Sequence, residues 1–320
     1  MGTLDSLVNL ARDMPEGKAD RRSFLKFIGG TIGAGMVSNN DTMLESRMGS
    51  FIQEKRKSGY LNPADEISVT VYDIDNNRKV VSINEDARRM AASTIKDYVM
   101  LAVFHQINRK KIKYSRRIQR LLERMIRESH NPSTNSLIRE LGGVKNVSGI
   151  IRSDFPYFNE TMVVETIPDD GRTYKNTTSS HDLNIFYNQL WKGNLPYAQE
   201  MKRILRLPKK DRLTDRTCIP SNTIVYNKTG TVHGLVADSG ILVMRDNKGN
   251  QYPYAISVMI EDKTRPHSGD SRAVRDTWKK RRSELIRDIS EGTYDFLYNL
   301  HMEKPYRCKE HGGMHLGRRQ

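Results

Sequence analysis

The chain has 320 residues, carries 53 Lys and Arg against 38 Asp and Glu for a formal net charge of +15, and is 37% hydrophobic. No apolar run reaches the roughly 18 residues of a membrane-spanning helix, and the hydrophobic residues are too evenly spread for wholesale disorder, so a polytopic membrane protein and a disordered chain are both excluded. Two cysteines, Cys218 and Cys308, cannot build a disulfide framework or a four-thiolate zinc site, so metal dependence is not expected, and no motif in the chain implies an organic cofactor.

In chain order, Asp20-Arg21-Arg22-Ser23-Phe24-Leu25-Lys26 precedes a short glycine-rich apolar stretch, residues 27–37. That stretch is too short to span a bilayer, and the segment resembles a twin-arginine export signal. Residues 1–38 are therefore expected to send the protein, already folded, to the periplasm or the exterior. No A-x-A cleavage site follows, which leaves open an N-terminal membrane anchor. The glycines do not form G-x-G-x-x-G after a strand, so dinucleotide binding is rejected.

Residues 42–57 suit a helix, and Ile67, Val69 and Val71 alternate with polar residues as in a half-buried strand. Asp75-Asn76-Asn77-Arg78 is a turn, after which residues 79–83 return as the second strand of a hairpin. From 93 to about 216 the pattern is helical. Leu137, Ile138 and Leu141 form one stripe ended by Gly142-Gly143, and Leu183, Phe186, Tyr187, Leu190 and Trp191 form another ended by Gly193. Strands resume beyond Cys218, with 240–244 and 254–260 flanking a turn-rich loop at 246–250. A helix over 272–300, broken near Gly292, closes the chain. The predicted fold is mixed α/β (α+β): a mostly antiparallel sheet flanked by helices, with an inserted all-helical lobe. One domain is expected over 39–305, its sheet lobe from 42–92 and 218–302, its helical lobe from 93–217, and a basic tail at 306–320.

Three short motifs carry chemistry. In Ser93-Thr94-Ile95-Lys96 a helical i, i+3 spacing puts the Lys amine beside the Ser hydroxyl, and a buried Lys near another cation can lose its proton and act as base. Ser129-His130-Asn131 offers a hydroxyl that can pass a proton to a leaving nitrogen and an amide that can hold a carbonyl. Lys228-Thr229-Gly230-Thr231 pairs a cation and a hydroxyl suited to a carboxylate with a glycine that lets a substrate approach the backbone. Each is cheap alone, since Ser23-Phe24-Leu25-Lys26 also satisfies the first pattern. Together, in this order and context, they resemble the class A β-lactamase group of penicillin-recognising serine hydrolases, with its S-x-x-K, S-D-N and K-T-G motifs. The resemblance spans about 42–302 and includes Met90-Ala91-Ala92-Ser93, Met125-Ile126-Arg127-Glu128-Ser129 and Glu165-Thr166-Ile167-Pro168.

That resemblance implies a β-lactamase/transpeptidase-like fold and a serine hydrolase that opens the β-lactam amide. By the same resemblance Ser93 is the acylated nucleophile, Lys96 its activator and Ser129 the proton relay. Asn131 binds the substrate amide, Lys228 and Thr229 hold its carboxylate, and the amides of Ser93 and Thr231 form the oxyanion hole beside Gly230. Alignment on Glu165-Thr166-Ile167-Pro168 gives Glu160 the hydrolytic role. The sequence departs from the family pattern in four ways. Val164 replaces the amide that helps to hold the hydrolytic water, His130 stands where the family has Asp, and Phe158 stands where an Arg pins the Ω-loop, which predicts a looser loop. The span from Ser93 to Ser129 is also short, which predicts an open cleft without a gate aromatic.

The substrate is thus expected to be a β-lactam or a cell-wall peptide, with two alternatives to β-lactam hydrolysis: a penicillin-binding D-Ala-D-Ala peptidase or transpeptidase, and a non-catalytic wall-binding module. The basic stretches at 109–120, 202–216 and 278–282 suit an anionic wall polymer or a membrane surface. No motif for nucleic acid is found, and a monomer is expected. His233 reads as a structural histidine, and Cys308, His311 and His315 as part of the tail.

Overall fold

The computed structural model describes residues 39–302 apart from 169, 247 and 266–268, with side chains from 43 onward. The segment read as an export signal, the basic tail and Cys308 lie outside these residues.

Helix α1 (Asn39–Lys57) leads into strands β1 (Glu66–Asp73) and β2 (Arg78–Ile83), and the short strand β3 (Arg89–Met90) precedes a 3-10 turn at Ala92–Thr94. The helical lobe follows as α2 (Ile95–Asn108), α3 (Arg116–Arg127), α4 (Asn131–Glu140) and α5 (Val144–Asp154). After a long loop come β4 (Thr177–Thr178), α6 (Ser180–Trp191) and α7 (Ala198–Leu205), then β5 (Ile224–Val232), β6 (Leu235–Arg245), β7 (Gln251–Glu261) and α8 (Arg272–His301). The five-stranded sheet has the order β2-β1-β7-β6-β5, antiparallel at every described pairing. The expected fold class is the observed one.

Side-chain alternation along β6 explains how the sheet builds two cores. Leu235, Ala237, Ile241 and Val243 face the core shared with α2 and the helical lobe, whereas Val236, Leu242 and Met244 face the core shared with α1 and α8. Strand β1 departs from its half-buried expectation. Ser68 and Thr70 are as buried as Ile67, Val69 and Val71, because β1 lies between β2 and β7 and both of its faces are covered. Thr70 Oγ1 is satisfied there by Ser180 Oγ at 2.9 Å.

Helix α8 runs unbroken through Gly292. A helical glycine costs only about 1 kcal/mol, and the buried Leu285, Ile286, Ile289 and Leu297 around it outweigh that. The terminators at Gly142, Gly143 and Gly193 all adopt positive φ, as the sequence requires for a helix stop. Helix α2 is apolar nearly all round and buried on every side, so its N-terminal turn, which carries Ser93, is fixed by the centre of the protein.

Candidate active site

Ser93 lies in the 3-10 turn rather than in the first turn of α2 itself, and the turn runs directly into the helix. Ala92 before it has φ +45°, a left-handed conformation that costs a non-glycine residue on the order of 1–3 kcal/mol and is held by its surroundings. Thr94 Oγ1 donates to Ala91 O at 2.6 Å and Ala91 N donates to Asn176 O at 2.8 Å, which ties the turn to the β4 edge. Ser129, between α3 and α4, is the second strained residue of the cleft, with φ +53°.

The three motifs converge on one chain of contacts. Lys96 Nζ, fully buried, lies at hydrogen-bond distance from Ser93 Oγ at 3.0 Å, Ser129 Oγ at 3.0 Å, Ser129 O at 2.6 Å and Asn131 Oδ1 at 2.8 Å. Lys228 Nζ, also buried, donates to the same Ser129 Oγ at 3.1 Å and to Thr229 O at 2.9 Å. Burial, then the charge of Lys228, brings Lys96 down to about 6, so its amine is largely neutral at pH 7. No carboxylate contributes to holding that proton. Lys228 falls less, to about 8, because the buried Asp97 and Asp238 oppose its desolvation. The two lysines thus divide into a largely neutral amine and a mostly charged one.

Gly230 explains why the third motif ends in glycine. A Cβ there would lie 3.0 Å from Thr94 Cγ2 and 3.2 Å from Ala91 O, so its absence lets edge strand β5 close against the turn that carries Ser93. Thr231 follows on that strand, and its hydroxyl accepts from Arg212 Nη2 at 2.6 Å. Arg212 is a site residue that motif spacing missed. It is fixed by donation from its Nε to Ser283 Oγ at 2.9 Å and from its Nη1 to Ala237 O at 3.2 Å, and it adds a cation beside the Lys228-Thr229 pair. The only sequence signal was the basic stretch at 202–216.

His130, where the family has Asp, holds the loop after Ser129 through contacts of its own. It caps α4, its Nδ1 accepting from Ser133 N at 3.2 Å and lying 2.8 Å from Ser133 Oγ. His233 faces Asp270 at 3.3 Å, a structural contact.

Glu160 is not brought to this cluster. Its carboxylate accepts from Arg88 Nε at 2.6 Å, while Asp182 holds the neighbouring chain, accepting from Asn159 N at 3.1 Å, Glu160 N at 2.8 Å and Thr161 Oγ1 at 2.7 Å. Phe158, 5% exposed, packs edge-on against Tyr98 with centroids 5.0 Å apart. The loop is therefore anchored by Asp182 and aromatic packing, where the sequence predicted loosening. The segment that meets the cluster is Ile167-Pro168: Pro168 O accepts from Asn131 Nδ2 at 3.1 Å, and Asn135 clamps Ile167 through both backbone groups, at 2.9 and 2.7 Å. Glu165 turns back into its own loop, accepting from Thr173 Oγ1, Tyr174 N and Lys175 N. Val164 is 41% exposed, with its N–H on Asn176 Oδ1 at 2.8 Å.

A family model described as the β-lactamase enzyme family matches residues 54–120 and 117–297. The chain belongs to that family. Solved family-like folds agree. A structure of PBP-A is 20% identical and superposes with a TM-score of 0.64, over 82% of this chain and 97% of PBP-A. A PBP-A mutant solved as an acyl-enzyme complex with penicillin G is 21% identical (TM-score 0.63; 81% and 97% covered). The chromosome-encoded β-lactamase of Vibrio parahaemolyticus is 17% identical (TM-score 0.62; 81% and 100% covered). Among curated protein sequences none matches. Within the family fold, Glu85, Asp86 and His181 place three ligand atoms within 4.8 Å, but Lys79 and the His181–Asp86 contact already engage them and none touches the Ser93 cluster.

Proposed function

We propose that the protein is a serine hydrolase that opens the β-lactam amide through an acyl-enzyme on Ser93. The observation that carries this reading is the unbroken hydrogen-bond chain from Ser93 Oγ through Lys96 Nζ and Ser129 Oγ to Lys228 Nζ. Lys228, with Thr229 and Arg212 beside it, attracts the substrate carboxylate, and the amide of Asn131 turns to the acyl side chain. Neutral Lys96 takes the Ser93 proton as Oγ bonds to the lactam carbonyl carbon. The backbone amides of Ser93 and Thr231 receive the oxyanion, an arrangement worth about 3–4 kcal/mol per donor. As the ring C–N bond breaks, Ser129 passes its proton to the nitrogen and is reprotonated from Lys96. Water then attacks the ester, which frees the acid and restores Ser93.

One observation favours a second reading, a penicillin-binding peptidase that retains its acyl group. Both loop glutamates are engaged elsewhere, and Lys96 feels no carboxylate, so Lys96 is the base left to activate water. The full-length protein is mixed with a fluorescent penicillin and the adduct followed over time, beside Ser93→Ala and Glu160→Gln. A Ser93-dependent adduct that decays within seconds supports hydrolysis. An adduct that persists for hours, with Glu160→Gln releasing it at an unchanged rate, establishes the second reading. Labelling that survives Ser93→Ala refutes both.

A further inference from the structure

We propose that the outer face of α3, with the turn before it, is a docking track for a soluble linear polymer of repeating phosphate groups. The helix is sharply two-sided: Ile118, Leu122, Met125 and Ile126 are buried, and Arg116, Arg117, Arg120, Arg124 and Arg127 are exposed. The turn adds exposed Lys110, Lys111 and Lys113. Neighbouring acids neutralise some of these cations, since Asp154 meets Arg109, Glu140 meets Arg117 and Glu128 meets Arg124 and Arg127. Among the described residues, Lys110, Lys111, Lys113, Arg116 and Arg120 make no ion pair, so five positive charges stand together.

Their placement works against the fold. Arg116 and Arg117 occupy the first turn of α3, which contains no acidic residue, so they sit where the positive end of the helix dipole already lies. Fold stability favours Glu or Asp there, whereas an anionic ligand gains from both the arginines and the free amides of the first turn. No exposed apolar side chain lies between 110 and 120 to enter a lipid interface, which favours a dissolved polyanion over a membrane. At 1.5 Å per residue α3 spans about 18 Å, with the unpaired cations gathered at its N-terminal end and Arg124 and Arg127 paired with Glu128 at the other.

The test uses the full-length protein and fluorescein-labelled linear polyphosphate, titrated by anisotropy from about 50 to 300 mM salt. Five contacts at about 0.7 counterions each give a slope of log K against log salt of about −3.5. Substituting Lys110→Gln, Lys111→Gln and Lys113→Gln together reduces the slope by about 2. Arg116→Glu weakens binding at least fivefold while raising the melting temperature, a pair of opposite signs that misfolding cannot produce. The proposal is overturned by a salt-independent isotherm, by binding that these variants leave unchanged, or by tenfold tighter binding to phosphatidylglycerol vesicles or single-stranded DNA at equal phosphate. Ser93-dependent penicillin labelling stays intact in all these variants, which keeps this track separable from the cleft chemistry.

Discussion

Replacing Lys228 by methionine tests how the cleft prepares Lys96. Both lysine nitrogens bond the same Ser129 Oγ, at 3.0 and 3.1 Å. They therefore lie within about 6 Å of each other, where two unit charges repel by roughly 3 kcal/mol at an effective dielectric of about 20. At about 1.4 kcal/mol per pKa unit, that repulsion accounts for about two units of the depression of Lys96. Burial, the larger cause, remains in the variant, so Lys96 rises from about 6 only part-way to its usual range, to about 8. The base works in its neutral form, so acylation of the native protein is lost as pH falls through about 6. In Lys228→Met this limb moves up by about two units, and the rate at pH 6 falls about a hundredfold below the variant's own plateau. Native acylation also declines above about 8 as Lys228 loses the charge that holds the carboxylate, and the variant lacks that decline. Single-turnover acylation by a chromogenic cephalosporin, followed in a stopped-flow instrument from pH 5 to 10, reads both limbs. Below the Lys228 limb, loss of carboxylate binding lowers the curve by one factor, so the position of the acid limb isolates the electrostatic effect. An acid limb that stays at about 6 in the variant refutes the argument that Lys228 lowers the proton affinity of Lys96.

Two further substitutions separate packing from chemistry. Gly230→Ala forces Thr94 and Ala91 O to give way by a few tenths of an ångström, and acylation is expected to slow about 10²-fold while circular dichroism and the melting temperature change little. Asp182→Ala leaves Asn159 N, Glu160 N and Thr161 Oγ1 without their acceptor and is expected to destabilise the protein by about 2–4 kcal/mol in urea unfolding. If Asp182→Ala is neutral, Asp182 is not an anchor and the loop is held by the Phe158 packing with Asn135 and Asn176.

Local spacing carried part of the reaction centre, since Ser93 and Lys96 are one helical turn apart and Lys228 to Thr231 lie on one edge strand. The meeting of Lys96 with Ser129, 33 positions away, and of Ser129 with Lys228, 99 positions away, was implied by the family resemblance and is made by the fold. What periodicity does not encode is which distant group captures a loop. The Ω-loop residues have no repeating pattern, and their path is set by Asp182 from α6, Asn176 from the β4 edge and Asn135 from α4. Alignment on Ile167-Pro168 therefore named Glu160 from chain distance, while the fold places that carboxylate on Arg88. Arg212 was missed for the same reason, since its role comes from crossing to Thr231, 19 positions away. The double burial of β1 was hidden because Ser68 and Thr70 are polar, and only strand order reveals that their hydroxyls find partners inside.

The same geometry sets acylation and release apart. On the proposed chemistry acylation needs a neutral amine beside Ser93, and Lys96 supplies it because it is buried next to the Lys228 cation and no acid compensates Lys96 itself, whereas Asp97 and Asp238 support the charge of Lys228. An additional carboxylate at that point would assist water but would also raise the proton affinity of Lys96, by the Coulomb attraction that the Lys228 repulsion now opposes. The position of Glu160 on Arg88 is therefore consistent with the depressed Lys96 and not an isolated loop accident. On the proposed chemistry this arrangement predicts that the acyl-enzyme forms faster than it is hydrolysed, and the ratio of the two rates, more than either alone, reports how the loop carboxylates are disposed.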